Sequence, residues 1–267
     1  MNHKAYFGFK TEPFPIDIAP KDMLKLPSMI GVKERFDYTL NMGGVMATFG
    51  EVGAGKSSSI RWTLTHYHPS ELKPIEVVAN SGSILEFYRQ LATGLDLPAT
   101  SMSKAMLLKE TKTAIKDIRA SKKQRLAIIV DEAQLLRRDV LAELHTVLNF
   151  EHDSVNMVSL VLCGQTLLLD HLQQRAAAPL ASRVMSRAHV RNLSQMEIEE
   201  YVNHHVRVAG VKKALFEPAA LAAIHQGSGG ILRRSNQLAS GGLVAAAIEK
   251  KDVVMAEHIR IAASELI

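Results

Sequence analysis

The chain has 267 residues, enough for one large domain or a large and a small one, and 47% apolar with 22% charged residues suits a globular chain with a full core. A single cysteine, Cys163, excludes a disulfide framework, and no apolar run approaches the ~18 residues of a membrane span. The net charge of +5 permits contact with nucleic acid or an anionic surface without demanding it.

Met1 to Lys10 has no apolar stretch behind its basic residues, so no secretory leader is expected and the cytoplasm is the default location. Residues 5–27 read as an ordered lead-in. Tyr6-Phe7-Gly8-Phe9 and Pro13-Phe14-Pro15 set aromatics between turn formers, and Met23-Leu24-Lys25-Leu26 ends at Pro27. Two roles fit: packing against the next domain, or a flap whose apolar groups cover a bound base. A helix is expected over 28–42, a buried strand over Val45–Phe49 and a helix from Ser58 to Tyr67.

Between that strand and helix stands Gly50-Glu51-Val52-Gly53-Ala54-Gly55-Lys56-Ser57, the phosphate-loop pattern of two glycines, Lys and a hydroxyl residue. A strand–glycine loop–helix unit aims backbone N–H groups and the positive end of a helix dipole into one concavity, which suits a polyphosphate. Lys56 would reach the outer phosphates, and the Ser57 hydroxyl would take a Mg²⁺ position. The loop and the following Ser58 are therefore the expected nucleotide-binding residues.

Pro74–Asn80 reads as a second strand, Ser83–Leu95 as a helix, and Ser103–Gln124 as a long basic helix. Leu126–Val130 is a strand buried on both faces, with Asp131 and Glu132 at its carboxyl end, where open α/β sheets bind ligands. A helix over Arg138–Asn149, a buried strand Met157–Cys163 ending in Gly164-Gln165, a helix Thr166–Arg175 and a last short strand His189–Leu193 follow. This alternation predicts a parallel sheet in a three-layer α/β domain. Beyond Leu193 only helices are expected. A capping box Ser194-Gln195-Met196-Glu197 opens one to Ala209, Glu217-Pro218 opens one to Gln226, Leu232–Lys250 is interrupted at Gly241-Gly242, and Val253–Leu266 closes the chain.

Asp131 can hold Mg²⁺ through water while Glu132 orients and deprotonates the attacking water, a pairing that suits hydrolysis of a nucleoside triphosphate. Gln165 ends a strand expected between the phosphate-loop and Asp131 strands, where it would touch the γ-phosphate or the water. Arg183, with Arg187 second, is the candidate for a guanidinium supplied across a subunit interface. Arg233, in Gly229-Gly230-Ile231-Leu232-Arg233-Arg234, would fold back onto phosphate from a helix start. Lys109, Lys112, Lys116, Arg119 and Lys123 recur along one helix face, either as a solvated stripe or as a grip on nucleic-acid phosphates. No base-reading motif or zinc spacing is present, and the eleven histidines lack the spacing of a helical metal pair.

With these motifs the chain resembles the AAA+ ATPases of the ExeA/TniB-like group. That group includes the ATPase module of general secretion pathway A proteins and transposition helpers of the TniB, TnsC, IstB and MuB kind. The resemblance rests on Tyr6-Phe7-Gly8-Phe9 with Pro13-Phe14, the phosphate loop, Val130-Asp131-Glu132-Ala133-Gln134, Val161-Leu162-Cys163-Gly164-Gln165, Ser182-Arg183-Val184, and Gly229-Gly230-Ile231-Leu232-Arg233 with Asn236. In the family's vocabulary these look like Walker A, Walker B, sensor 1, the arginine finger and sensor 2. Ser57-Ser58 stands where Thr-Thr is usual, and Leu232 where Pro is common.

The resemblance implies a P-loop αβα core with five parallel strands and a C-terminal helical lid. It implies segments 1–27 (lead-in over the nucleotide), 28–193 (core) and 194–267 (lid). Also implied are ATP and Mg²⁺ as cofactors and head-to-tail assembly into a ring or filament, with Arg183 of one subunit meeting ATP on the next. Two roles follow. The first is a DNA-bound helper that recruits or activates a transposase or integrase. The alternative is a secretion-pathway ATPase; those members usually continue into a membrane segment and a peptidoglycan-binding domain, whereas this basic chain stops at Ile267. A nucleotide-gated scaffold with little turnover is a third class, against which the intact Asp131-Glu132 pair argues.

Overall fold

The computed structural model describes residues 3–80, 82–101, 103–151 and 155–266; Met1, Asn2 and Ile267, at the ends of the expected lead-in and lid, lie outside the described residues. The first half of the chain runs α1 (His3–Phe7), a 3-10 turn (Pro20–Asp22), α2 (Pro27–Met42), β1 (Gly44–Phe49), α3 (Lys56–Leu64), β2 (Leu72–Val78), α4 (Ile84–Gly94), α5 (Lys104–Lys122) and β3 (Arg125–Asp131). Then come a 3-10 turn (Ala133–Leu135), α6 (Arg138–Glu143), α7 (His145–Leu148), β4 (Ser159–Gly164), α8 (Leu167–Gln173), a third 3-10 turn (Arg175–Ala177), α9 (Ala178–Ala181) and β5 (Val184–His189). Four helices end the chain: α10 (Gln195–Val208), α11 (Pro218–Ser228), α12 (Leu232–Ile248) and α13 (Ala256–Ser264). Among the described residues no helix is long and apolar enough to cross a membrane.

The chain divides into two compact units, one of Pro27–Gly50 and Lys56–Val190, the other of Met1–Leu26, Glu51–Gly55 and Arg191–Ile267. The first unit is built on a five-stranded, all-parallel sheet in the order β2-β3-β4-β1-β5. Helices cover it, which is why its central strands read as unbroken apolar runs: every residue of β4 and all of Leu126–Val130 are buried. Leu91 of α4, Ile115 of α5, Leu141 of α6 and Leu168 of α8 share one core with Ile128, Leu160 and Leu162 of the sheet. The registers place Phe49 beside Gly164 and Val78 beside Asp131, so the carboxyl ends of the strands line up along one rim.

Three expectations need correction. The last strand is Val184–His189 rather than 189–193. It is a sheet edge, where one open side tolerates the adjacent polar pair Ser186-Arg187 inside the strand and blurs the strand signal. Helix α12 runs through Gly241-Gly242 without a break. There the missing side chains admit α13, because a Cβ would come within 2.6 Å of Ala262 at one position and 2.4 Å of Ile259 at the other. The helix expected over Arg138–Asn149 is two, parted at Leu144.

The second unit joins the lead-in to the C-terminal helices. The Lys10 N–H donates to the Ala209 carbonyl at 2.9 Å. Phe14 stacks on His205 with ring centroids 5.4 Å apart and meets Phe216 edge-on. His204 Nε2 and His205 Nδ1 bond to the Asp22 and Pro13 carbonyls at 2.7 and 2.8 Å. Phe9 and Phe14, two of the lead-in aromatics, are buried within the unit of the C-terminal helices. The capping box that opens α10 is present, and its Glu197 also meets Arg191, which holds the carboxyl down to about 2.

Burial pushes the His205 imidazole down to about 4, with the neighbouring His204 adding to the effect. The folded value lies below the unfolded one, so this stability is complete above pH ~6.5 and is lost as the pH falls toward 4. Between pH 7 and 5 the loss amounts to about 2 kcal/mol. Denaturant midpoints at the two pH values should show it, and His205→Leu should flatten the dependence.

Candidate nucleotide site

The phosphate loop joins β1 to α3, and its conformation depends on glycine. Gly53 and Gly55 sit at φ +81° and +101°, in the left-handed region that side chains avoid. Helix α3 begins at Lys56, two residues earlier than expected, so Lys56 and Ser57 supply its first turn. The buried Lys56 ammonium turns back and donates to the Gly50 carbonyl at 3.0 Å. Ala54 is buried, whereas Glu51, Val52, Ser57 and Ser58 are exposed.

Ser57 and Asp131 lie 74 positions apart in the chain, yet the Ser57 hydroxyl donates to Asp131 Oδ2 at 2.8 Å. The other Asp131 oxygen accepts the Glu132 N–H at 2.8 Å. Glu132 itself sits at φ +52°, a conformation costly for a side-chain-bearing residue and concentrated at working sites. It turns the chain straight into the 3-10 turn at Ala133–Leu135. Two hard oxygens, one hydroxyl and one carboxylate, suit Mg²⁺, which takes few protein ligands and keeps its waters. Among the described residues no group of three or more His, Cys, Asp or Glu side chains is placed to hold a metal ion.

Gln165 follows β4, which lies between β1 and β3 as expected from the sequence. Its N–H donates to Gln134 Oε1 at 2.9 Å, and Gln134 Nε2 donates to Glu132 Oε2 at 2.6 Å. Gln134 ends the Val130–Gln134 motif, in which sequence reasoning gave it no role of its own. Behind this rim, burial pushes the Cys163 thiol up, so it stays protonated and inert.

Comparison with known proteins fits this geometry. Residues 41–172, the span from the end of α2 to α8, match the AAA domain family. The chain has the fold of the AAA+ proteins. It is 30% identical over 268 residues to the General secretion pathway protein A of Aeromonas hydrophila, covering 99% of this chain and 48% of that protein. It therefore spans about half the length of the curated relative it matches. Among solved structures, the Aeropyrum pernix ORC2 protein in its ADPNP-ADP complexes superposes with a TM-score of 0.73 at 18% identity, covering 96% of this chain and 72% of that one. The Drosophila ORC bound to DNA gives 0.68 at 14% identity, over 100% and 66% of the two chains. The Thermotoga maritima RuvB Holliday junction branch migration motor gives 0.57 at 14%, over 95% and 73%. At these identities the likeness is one of fold: a P-loop AAA+ α/β core followed by helices.

Within the AAA+ fold the candidate arginines belong to different units. In the unit of the C-terminal helices, the Arg233 N–H donates to the Gly53 carbonyl at 3.1 Å, and a Cβ on Gly53 would stand 2.8 Å from that of Arg233. Arg233 therefore begins α12 against the tip of the phosphate loop, and Leu232 lies against Gly55. In the sheet unit, Arg183 precedes β5, and its carbonyl accepts the Val45 N–H at the amino end of β1. The phosphate loop leaves the opposite end of that six-residue strand, so roughly 16 Å or more of sheet separates the two, by the usual rise per residue. Arg187 lies mid-strand beside Ala47 and lines a cavity of about 280 Å³ with Leu169, Leu172 and Arg175.

The basic stripe of the AAA+ core is partly engaged inside the chain. Lys112 donates to the Asn149 carbonyl at 2.7 Å and stands over the Phe150 ring, and Lys116 meets Glu151 at 3.5 Å. Arg119 lines a cavity of about 140 Å³ with Arg125, at the amino end of the sheet. Lys109 and Lys123 are exposed.

Proposed function

We propose that this chain is a Mg²⁺-dependent ATPase that works as a head-to-tail oligomer in the cytoplasm and drives an assembly step of a secretion pathway, a role supported by its 30% identity to a General secretion pathway protein A. The observation that carries hydrolysis is the rim at the carboxyl end of β3, where Ser57 and Asp131 are bonded and Glu132 stands beside them. Gly50, Glu51, Val52, Gly53, Ala54, Gly55, Lys56, Ser57 and Ser58 would hold the nucleotide. Ser57 and Asp131 would hold the metal, which neutralises charge on the phosphates when bound. Glu132 would take the proton of the attacking water, Gln165 and Arg233 would contact phosphate, and Arg183 would complete the site of a neighbouring subunit. The functional division into lead-in 1–27, core 28–193 and helical lid 194–267 belongs to this reading.

A DNA-bound helper that recruits or activates a transposase or integrase is the second reading. It is favoured by the net charge of +5 and by the exposed Lys109 and Lys123 at the ends of the stripe. Duplex binding separates the two. On the DNA reading a non-hydrolysable ATP analogue promotes binding, ADP does not, and log K falls linearly with log salt. Duplex affinity indifferent to nucleotide leaves the secretion-type role. Absence of ATP affinity with magnesium present would overturn both.

A further inference from the structure

Gln134 is 5% exposed and hydrogen-bonded at both ends of its amide, and the motif reading gives it no work. Its orientation is dictated by its neighbours. The Gln165 backbone N–H can only donate, so the Gln134 oxygen must face it, which turns the amide nitrogen onto Glu132. One planar amide thus spans from the end of β4 to the carboxylate that follows β3. The 3-10 turn after Glu132 brings residue 134 back to make this reach; its first bond runs from the Leu135 N–H to the Glu132 carbonyl at 2.8 Å. Gly164 leaves the room, since a Cβ there would stand 2.7 Å from Gln134 Oε1.

We infer that Gln134 is a positioning residue that fixes the direction of the Glu132 carboxylate and ties it to the location of Gln165. The amide holds Oε2 of Glu132 and leaves Oε1 for water. Because Oε1 of the same amide is held by the Gln165 N–H, a displacement of the β4 end reaches Glu132 through a single rigid group. This rests on the proposed role of Glu132 as the general base. Misaiming a catalytic group by about 1 Å costs up to about 100-fold, so losing the amide should lower turnover by about 10- to 100-fold without weakening nucleotide binding.

The test uses the full chain with four variants: Gln134→Ala, Gln134→Glu, Gly164→Ala and the double Gln134→Ala/Gly164→Ala. The readouts are affinity for a fluorescent ATP analogue, steady-state ATP turnover, and amide hydrogen exchange at Gln165. In all four the analogue should bind within about twofold of the parent, as expected when only Glu132 is misaimed. Gln134→Ala should lose turnover and expose the Gln165 amide to exchange. Gln134→Glu, once ionised at alkaline pH, still accepts from Gln165 but cannot donate to Glu132, so there the amide should stay protected while turnover falls. Gly164→Ala should act by displacing Gln134, so the double variant should be no slower than Gln134→Ala alone. Wild-type turnover in Gln134→Glu at alkaline pH, or additive losses in the double variant, would overturn the inference. Wild-type turnover in Glu132→Gln would instead remove the reading of Glu132 on which it rests.

Discussion

Glu132→Gln should bind ATP and fail to consume it. The substitution keeps the size of the side chain and its bond from Gln134, and removes only the ability to take a proton. General-base catalysis contributes about 10²- to 10⁴-fold, so turnover should fall by that factor while ATP remains bound and the nucleotide-dependent assembly persists. Lys56→Ala should behave in the opposite way. Its buried ammonium belongs to the loop itself, held on the Gly50 carbonyl, so its removal should abolish ATP binding and with it assembly of this variant on its own, while it can still join a neighbour that has bound ATP. Measuring bound nucleotide and released phosphate side by side separates the two variants. Undiminished turnover in Glu132→Gln would take this residue out of the chemistry.

Arg183→Ala should be silent in binding and severe in turnover, at about 10³-fold, the lower end of what an arginine finger supplies. The basis is placement. Arg183 stands at the amino end of β5 and the phosphate loop at the far end of the adjoining β1, so no rotamer brings its guanidinium to phosphate in its own core. It acts on another subunit or not at all. Mixing Arg183→Ala with Lys56→Ala should therefore restore part of the activity, because the second protein contributes an intact arginine to the intact loop of the first. If no mixing ratio restores turnover, Arg183 has no role in trans, and Arg187 would be examined next.

The parts of this site that a reader of the sequence can see are those written in one contiguous stretch. The phosphate loop announces itself because two glycines, a lysine and a serine must follow a strand and open a helix. Asp131 and Glu132 are visible because they end an apolar run that is covered on both faces. Gln134 is visible as the last residue of the Val130–Gln134 motif, but the proposed work of its side chain is not, for a physical reason. Its role depends on the left-handed turn at Glu132 and on the end of β4 arriving beside it, neither of which leaves a local pattern. Strand β5 was misplaced because an edge strand tolerates Ser186 and Arg187, so His189–Leu193 looked the better strand. The continuity of α12 was lost to a rule of thumb about glycine pairs, which here serve the fit of α13. Isolation of Arg183 from its own loop emerged only from the strand register.

The order of the strands has a consequence for the birth of the protein on the ribosome. Since β4 lies between β1 and β3, Ser57 and Asp131 become neighbours only after Gly164 has been made and inserted. A nascent chain that has completed only β1, β2 and β3 lacks the strand that seats Ser57 beside Asp131, and on the proposed reading it would not hold metal and triphosphate together. Such non-local pairing slows folding and leaves unfilled strand edges in the meantime. Ligand should therefore rescue arrested chains released beyond β4 and do nothing for shorter ones.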